Sequence, residues 1–233
     1  MAIEISVIIP SHNVEKTLEK VINQTIDELK GLKGSYEVII AEDGSIDKTY
    51  DIAKKLSKNF KHLIIFHSEK RLGKGKALNL AFKKAKGRIR IFLDADYVGV
   101  PKFIPQMSEL LKECDIVIGT RYKNQSKTKR LFRRLLASRF YIILVKLFFF
   151  LPFSDLQCGF KGMNKKVIQL LNHVKSKDYF WDTEFLVKAK KAGYSICELP
   201  ISWVEMSSKH SASLLRDSFK FIMSLIKLRR GIL

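Results

Sequence analysis

Short apolar runs and amphipathic helical segments alternate along residues 3–96, and this alternation constrains the fold more than any other feature. The runs at residues 3–9, 36–41 and 62–66 and the one leading to Asp94 are rich in β-branched residues and are bounded by Pro, Gly or polar clusters, which is typical of strands. The segments between them show helical spacing, as in Leu18, Ile22, Ile26 and Leu29. Strands and helices that alternate with short links predict an α/β fold, with a Rossmann-like, mostly parallel sheet covered by helices on both faces.

Polar and glycine-rich residues follow these strands, at residues 10–13, 42–45, 68–76 and 94–96. Ligands of parallel sheets bind beyond the carboxyl ends of the strands, so this edge is the predicted site. Asp94 and Asp96 are two residues apart and would project from the same side of an extended chain. Paired carboxylates suit Mg²⁺ or Mn²⁺ carried on a diphosphate, because such ions keep substrate oxygens and water as further ligands.

The chain carries 43 Lys and Arg against 23 Asp and Glu, a formal net charge of +20. Such an imbalance indicates a polyanionic partner, which could be nucleic acid, an anionic membrane surface or a phosphorylated substrate. No helix-turn-helix, zinc-finger or aromatic RNA-binding signature is visible, so a nucleic-acid-binding module is the disfavoured alternative and no nucleic acid is expected.

Three cysteines, Cys114, Cys158 and Cys197, are far apart and form no C-x-x-C pair. We therefore predict neither a disulfide framework nor a zinc site, and expect a reducing, cytoplasmic setting. The first ten residues lack a basic region followed by a long apolar one, which predicts a first strand rather than a signal peptide.

Two segments are both basic and apolar. Residues 121–139 hold eight basic residues and no acidic one, and residues 140–153 have Lys146 as their single charged residue. The apolar part is shorter than the roughly 20 residues of a spanning helix, so it predicts either a helix at the membrane interface, which the basic run favours, or a buried core helix. Residues 212–229 predict a second basic helix, which is amphipathic. It would either bind a surface of anionic lipid or pack on the domain by its apolar side.

Several ordered motifs resemble those of the family 2 glycosyltransferases, in particular the polyprenyl-phosphate (dolichyl-phosphate) hexose synthases. These motifs are V-I-I-P-S-H-N at 7–13, E-V-I-I-A-E-D-G-S at 37–45, G-K-G-K-A-L-N at 73–79, F-L-D-A-D at 92–96 and G-T-R-Y at 119–122. Three more are closest to the dolichyl-phosphate glucosyltransferase branch: D-L-Q-C-G-F-K at 155–161, W-D-T-E-F-L at 181–186 and S-K-H-S-A-S-L-L-R-D-S at 208–218.

The resemblance implies a GT-A fold over residues 1–211, with an interface and acceptor segment at about 121–153, followed by the helix at 212–233. It also implies roles for individual residues. The donor would be bound by Pro10, Asn13, Glu15, Glu42, Asp43, Lys74, Asp94 and Asp96, of which Asp94 and Asp96 would also hold the metal. The acceptor phosphate would contact Arg134, Ser138, Lys161 and Lys209, and the catalytic candidates are Asp155, Glu184 and Arg121.

The implied activity is inverting transfer of a hexose, with glucose as the first choice, from a nucleotide sugar, with UDP as the first choice, to polyprenyl or dolichyl phosphate. The enzyme would be peripheral on the cytosolic face of a membrane, with Mg²⁺ or Mn²⁺ as cofactor. His12, Val14 and Glu42 depart from the family pattern, so a GDP-mannose-dependent synthase stays open. A transferase acting on a saccharide or protein hydroxyl stays open as well.

Overall fold

The computed structural model describes residues 3–123, 128–129, 132–204 and 214–233, and side chains within 3–123, 139–203 and 220–233. The strands are β1 Ile5–Ser11, β2 Tyr36–Asp43, β3 Leu63–Ser68, β4 Ile89–Leu93, β5 Ile116–Thr120, β6 Thr128–Lys129, β7 Phe160–Asn164, β8 Ile196–Pro200 and β9 Trp203–Val204. The helices are α1 Leu18–Lys30, α2 Thr49–Asn59, α3 Lys74–Lys84, α4 Ile104–Leu110, α5 Phe132–Phe149, α6 Trp181–Lys191 and α7 Leu214–Arg229. Two 3-10 segments, Pro101–Phe103 and Lys165–Asn172, precede α4 and follow β7.

Seven of the strands form one sheet in the order β3-β2-β1-β4-β7-β5-β8. All neighbours are parallel except β7, which runs antiparallel to both β4 and β5. β6 and β9 pair separately. The predicted mostly parallel sheet is therefore confirmed.

Both faces of the sheet are buried by helices. Successive side chains of a strand point to opposite sides, so each strand contributes to both packed layers. In β1, Val7 and Ile9 pack in a cluster with residues of α1, α2 and α4. Ile8, between them, packs on the other side with residues of α3, α5, α6 and α7. Strands buried on both faces read as continuous apolar runs, which explains why the first four were recognisable in the sequence.

The antiparallel strand β7 is not among the strands that the sequence predicts. Its sequence F-K-G-M-N shows neither alternation nor a β-branched run, yet four of its five residues are buried. The register places Phe160 beside Leu93 and Lys161 beside Phe92. This pairing brings the loop before β7 against the carboxyl end of β4.

Two of the cysteines are joined, contrary to the prediction that none would be. Cys114 precedes β5 and Cys197 lies in β8, the parallel neighbour of β5. Their Cα atoms are 6.1 Å apart and a disulfide links them across 83 residues. The sequence spacing did not reveal this pair, because the pairing depends on the adjacency of β5 and β8. Cys158 is free and buried, and burial raises its pKa to about 12.

Helix α5 packs on the domain by one side and exposes apolar side chains on the other. Val145 is buried, and Tyr141, Leu144 and Phe148 pack against the core. The exposed side is formed by Phe140 (60% exposed), Ile143 (54%), Leu147 (67%) and, just beyond the helix, Phe150 (81%). Within the described residues, we find no helix with the length and apolar character that crossing a membrane requires.

Candidate functional site

The carboxylate of Asp94, directly after β4, is held by the ammonium group of Lys74, the first residue of α3. Lys74 Nζ lies 2.8 Å from Asp94 Oδ1 and 3.0 Å from Oδ2, so it contacts both oxygens. Burial opposes the charged form of Lys74, but the carboxylates of Asp94 and Asp182 outweigh it and raise the pKa of this lysine above its usual value. The two donor-site predictions at Asp94 and Lys74 thus come together at the predicted sheet edge.

Asp182, on α6, extends this contact into a chain of alternating charges. Its Oδ2 lies 3.7 Å from Lys74 Nζ and its Oδ1 lies 2.6 Å from Lys161 Nζ. Lys161 is fully buried in β7 and also donates to the backbone oxygen of Cys158. We call Asp94, Lys74, Asp182 and Lys161 the charge chain.

Asp182 is not among the predicted site residues, and Lys161 was predicted at the acceptor phosphate. Asp182 is the second residue of α6, and a carboxylate in the first turn of a helix is usually a surface residue. Its apolar neighbours Phe180 and Trp181 were the available signal in the sequence. In the structure the Lys161 ammonium is engaged by Asp182, so its predicted acceptor role stays a prediction.

Gly159, just before β7, lets the backbone approach the Asp94 carboxylate. Its oxygen accepts the Asp94 N–H at 2.8 Å. A Cβ on Gly159 would lie 1.8 Å from Asp94 Oδ2, far inside van der Waals contact. The glycine of D-L-Q-C-G-F-K is therefore needed for close packing against Asp94.

Gly159→Ala is expected to lower the free energy of unfolding by about 1–3 kcal/mol, the usual cost of overpacking a tight site. Urea denaturation would measure it. The matched control is Gly31→Ala, where φ is −74° and the nearest atom to an added Cβ is 3.4 Å away. That control should stay within about 0.5 kcal/mol of the parent chain. Equal stability of the two variants would contradict the close packing of Gly159.

Arg121 and Asp155 form a buried bidentate ion pair. Arg121 Nε donates to Asp155 Oδ2 at 2.7 Å and Nη2 donates to Oδ1 at 3.0 Å. Burial disfavours the charge on Arg121, but Asp155 outweighs it and raises the arginine pKa well above its ordinary value. Arg121 Nη1 also donates to the Tyr97 hydroxyl at 3.2 Å, and this hydroxyl accepts the Gly159 N–H at 3.1 Å. The pair is thereby tied to the loop that packs on Asp94.

Glu184 is fully buried and binds the backbone of the loop that contains Lys175 and Ser176, which lies next to α3. It accepts backbone N–H groups of Lys175 and Ser176 at 2.9 and 2.8 Å, and the Lys188 ammonium lies 2.5 Å away. Burial opposes its ionisation, but these donors prevail and lower the Glu184 pKa. The same loop accepts the Gly75 N–H at Lys177 O. Glu184 thus helps to position the start of α3, and its predicted catalytic role stays a prediction.

The donor-site candidates at and beyond the ends of β1 and β2 form a second part of this edge. Glu42 is buried and accepts the Ser45 N–H at 2.7 Å, with His67 Nδ1 at 2.5 Å from its other oxygen. Asp43 accepts the Leu72 N–H and, at 3.0 Å, the Gly73 N–H, so β2 fixes the loop that carries Lys74.

The loop after β1 is joined to the loop after β2 through Asn13 and Glu15. Asn13 adopts a positive φ of 54°, and its Oδ1 accepts the Ile46 N–H at 2.9 Å. Glu15 accepts the Lys48 N–H at 3.1 Å. Pro10 lies in β1 one residue before its end. These residues shape the edge next to Asp43, and their contacts to a donor stay predictions.

The carboxylates at the end of β4 fit the predicted divalent cation. The Asp94 side chain is 23% exposed, so a ligand can reach it, and Asp96 is partly exposed two residues later. Over the part of the chain whose side chains are described, no group of three or more His, Cys, Asp and Glu could hold a metal. Asp94 and Asp96 are two carboxylates, and Mg²⁺ is commonly bound through one or two carboxylates plus substrate phosphates.

Three acceptor-phosphate candidates cannot be placed. Arg134 and Ser138 belong to α5, but their side chains lie outside the described part, and Lys209 lies outside it entirely. The predicted domain boundary at residues 211–212 also falls outside the described residues.

Comparison with known proteins identifies the family. The model of glycosyl transferase family 2 matches residues 6–171. "Glycosyltransferase AglD" of Haloferax volcanii is 34% identical over 92% of this chain, which spans only 35% of that protein. "Dolichyl-phosphate beta-glucosyltransferase" of Saccharomyces cerevisiae is 30% identical over 98% of this chain and 75% of its own length. The "Dolichyl-phosphate beta-glucosyltransferase ALG5A" of Trichomonas vaginalis is 28% identical over 97% of this chain and 73% of its own.

Solved structures share the fold at lower identity. Glucosyl-3-phosphoglycerate synthase from Mycobacterium tuberculosis, in complex with Mn²⁺, uridine diphosphate and phosphoglyceric acid, superposes with a TM-score of 0.73 at 20% identity. The superposition covers 97% of this chain and 78% of that one. The resemblance to the dolichyl-phosphate glucosyltransferases and the GT-A fold are thus confirmed, and the chain belongs to glycosyl transferase family 2.

Proposed function

We propose that this glycosyltransferase transfers glucose from a nucleoside diphosphate glucose, with uridine as the nucleoside, to dolichyl or another polyprenyl phosphate. The yeast and Trichomonas relatives, which carry the name dolichyl-phosphate β-glucosyltransferase, support the sugar and the acceptor. In this chain the proposal rests on the contacts that its buried carboxylates make, because a carboxylate must be accessible to act as the base for an acceptor hydroxyl.

Asp155, Asp182 and Glu184 are all buried and all engaged by cationic side chains. A general base must reach the acceptor proton with a carboxylate oxygen, whereas oxygens of these three carboxylates are occupied by Arg121, Lys161 and Lys188. An acceptor hydroxyl would need such a base. A lipid monophosphate has a second pKa of about 6 and arrives as an anion. These three carboxylates therefore favour a phosphate acceptor.

The donor diphosphate would bind at the end of β4. Asp94 and Asp96 would hold Mg²⁺ or Mn²⁺, which neutralises charge developing on the leaving diphosphate. Lys74 would contribute a second positive charge there, since its side chain is only partly buried. Attack from the opposite side of the anomeric carbon would invert its configuration and yield a β-linked product from an α-linked donor.

A membrane surface would present the lipid acceptor, and the exposed side of α5 fits that surface. Phe140, Ile143, Leu147 and Phe150 form one apolar stripe. Helix α7, which contacts α5, has exposed Lys227 and Arg229 in its last turn, and exposed Arg230 follows it. Apolar side chains beside a basic helix are complementary to a bilayer with anionic lipids. A peripheral location on the cytosolic face follows from this proposal.

The variant Leu147→Ser/Phe150→Ser is expected to bind vesicles of phosphatidylcholine and phosphatidylserine at least about tenfold more weakly, since each lost apolar contact costs on the order of 1 kcal/mol. Flotation would measure binding. Ile46→Ser/Ile64→Ser, which changes exposed apolar residues on the β2–β3 side, is the matched control. Equal loss in both double variants would contradict a specific membrane-binding side.

The activity is tested by incubating the purified protein with Mn²⁺ or Mg²⁺, a panel of UDP- and GDP-sugars, and polyprenyl phosphate in detergent. Mass spectrometry of the lipid fraction identifies the product, and NMR of the anomeric proton gives its configuration. We expect β-glucosyl phosphoryl polyprenol from UDP-glucose. A mannosyl lipid from GDP-mannose, or transfer only to a saccharide or protein hydroxyl, would overturn the proposal in favour of an alternative.

A further inference from the structure

The contact between Lys74 and Asp94 uses the same carboxylate oxygens that a divalent cation would need. Lys74 Nζ is within 3.0 Å of both Asp94 oxygens. Gly159 packs on the same carboxylate, where even a Cβ would overlap Oδ2. Mg²⁺ binds a carboxylate oxygen directly, at about 2.0–2.1 Å. The ammonium and a metal ion therefore compete for Asp94.

We propose that the Lys74 ammonium is an internal cation, which occupies Asp94 until a nucleoside diphosphate brings in the divalent cation and then moves to the diphosphate. This inference rests on the proposed use of a divalent cation and goes beyond it, because it assigns Lys74 control over when that cation binds. In this role Lys74 is a positioning residue for Asp94 before it becomes a ligand of the donor.

The surroundings of Lys74 allow such a move. Its ammonium lies 3.7 Å from Asp182 and near the rings of Phe92 and Tyr179, at 5.4 and 5.7 Å from their centroids. The rings and the Asp182 carboxylate attract a cation at these distances, but none of the three is close enough to hydrogen-bond to it. Lys161, in contrast, is fully buried and held by Asp182 and Cys158, so it stays in place and keeps Asp182 neutralised.

The order of binding follows from the charges. In the absence of donor, the two ammonium groups of the charge chain balance its two carboxylates. The chain then attracts a metal ion only weakly. Without the charge on Lys74, Asp94 and Asp182 would face Lys161 alone, with Asp96 close in sequence. A diphosphate would likewise expose Asp94 to a metal ion, because it draws the Lys74 ammonium away from this carboxylate. Metal and nucleotide must then each increase the affinity of the other, since such coupling is reciprocal.

The test measures Mn²⁺ binding to the full chain by electron paramagnetic resonance, with and without UDP. For the parent chain we expect weak Mn²⁺ binding alone and at least about tenfold tighter binding with saturating UDP. Lys74→Met should bind Mn²⁺ alone about tenfold or more tightly than the parent, because one repelling unit charge within a few ångströms is removed. In that variant UDP should improve Mn²⁺ binding less than it does in the parent.

Lys76→Met is the matched control, because it removes the same charge from an exposed position on the same helix. It should leave both Mn²⁺ affinities unchanged. Lys74→Gln provides a second neutral variant, and thermal unfolding checks that each protein is folded. Unchanged or weaker Mn²⁺ binding in a folded Lys74 variant would overturn the inference.

The result is independent of the sugar transferred. Tighter Mn²⁺ binding by Lys74→Met in a protein that makes no glucosyl lipid would support the internal cation and refute the proposed function. Glucosyl transfer by the parent chain, together with unchanged Mn²⁺ affinity in Lys74→Met, would support the proposed function and refute the internal cation.

Discussion

Asp94→Asn is expected to reduce kcat/KM for glucosyl transfer to polyprenyl phosphate by about 10³-fold. The change removes one of the two carboxylates that would hold the cation, and charge stabilisation by a bound metal is worth several kcal/mol. Asn has nearly the same shape, so it preserves the packing of Gly159 on this side chain. The loss should therefore appear in catalysis while the protein stays folded.

The measurement is the initial rate of lipid product formation at subsaturating donor, with circular dichroism as a check of folding. Asp27→Asn is the matched control, since Asp27 is an exposed helix carboxylate paired with Lys30. It should retain the activity of the parent chain. A folded Asp94→Asn protein that keeps more than about a tenth of the parent activity would contradict the role assigned to this residue.

Asp155→Asn is expected to lower the free energy of unfolding by about 3–5 kcal/mol, which corresponds to a fall in Tm of roughly 10 °C for a chain of this size. The substitution leaves the Arg121 guanidinium buried without the carboxylate that holds it through two hydrogen bonds. Breaking one partner of a buried ion pair costs far more than breaking an exposed pair, because the remaining charge is kept from water.

Differential scanning calorimetry and urea denaturation would measure this loss. Asp51→Asn breaks the exposed pair of Asp51 with Lys54, in which Asp51 is 75% exposed. That control should change the unfolding free energy by less than about 1 kcal/mol. Similar values for the two variants would show that the Arg121–Asp155 pair is not a major contribution to stability.

The strands β1 to β4 and the helices between them could be predicted because each shows its own local periodicity. The predicted position of the site also followed, since strand ends of a parallel sheet meet at one edge. β7 could not be predicted in the same way. It contains a glycine and a lysine, and its burial depends on insertion between β4 and β5 with the reverse direction. The contacts of Gly159 with Asp94 and of Lys161 with Asp182 depend on this strand, so they could not be predicted either.

The site was predictable in its residue types and less so in its pairings. Asp94 and Lys74 were both assigned to the donor, but their direct contact was not foreseen. Arg121 and Asp155 were predicted as catalytic residues without any contact between them, and the structure joins them in a buried pair. Asp182 was overlooked, because a single carboxylate on a helix carries no sign of the two lysines that bind it.

The sequence by itself determined the α/β class, the edge at which the site lies, and the apolar and basic character of α5 and α7. These properties follow from residue type and local spacing alone. Only the tertiary structure decided which charges meet: Lys74 with Asp94 across 20 residues, Lys161 with Asp182 across 21, and Arg121 with Asp155 across 34. It likewise decided that Cys114 meets Cys197. Such pairs depend on the order and direction of strands in the sheet, and burial then gives each pairing its strength.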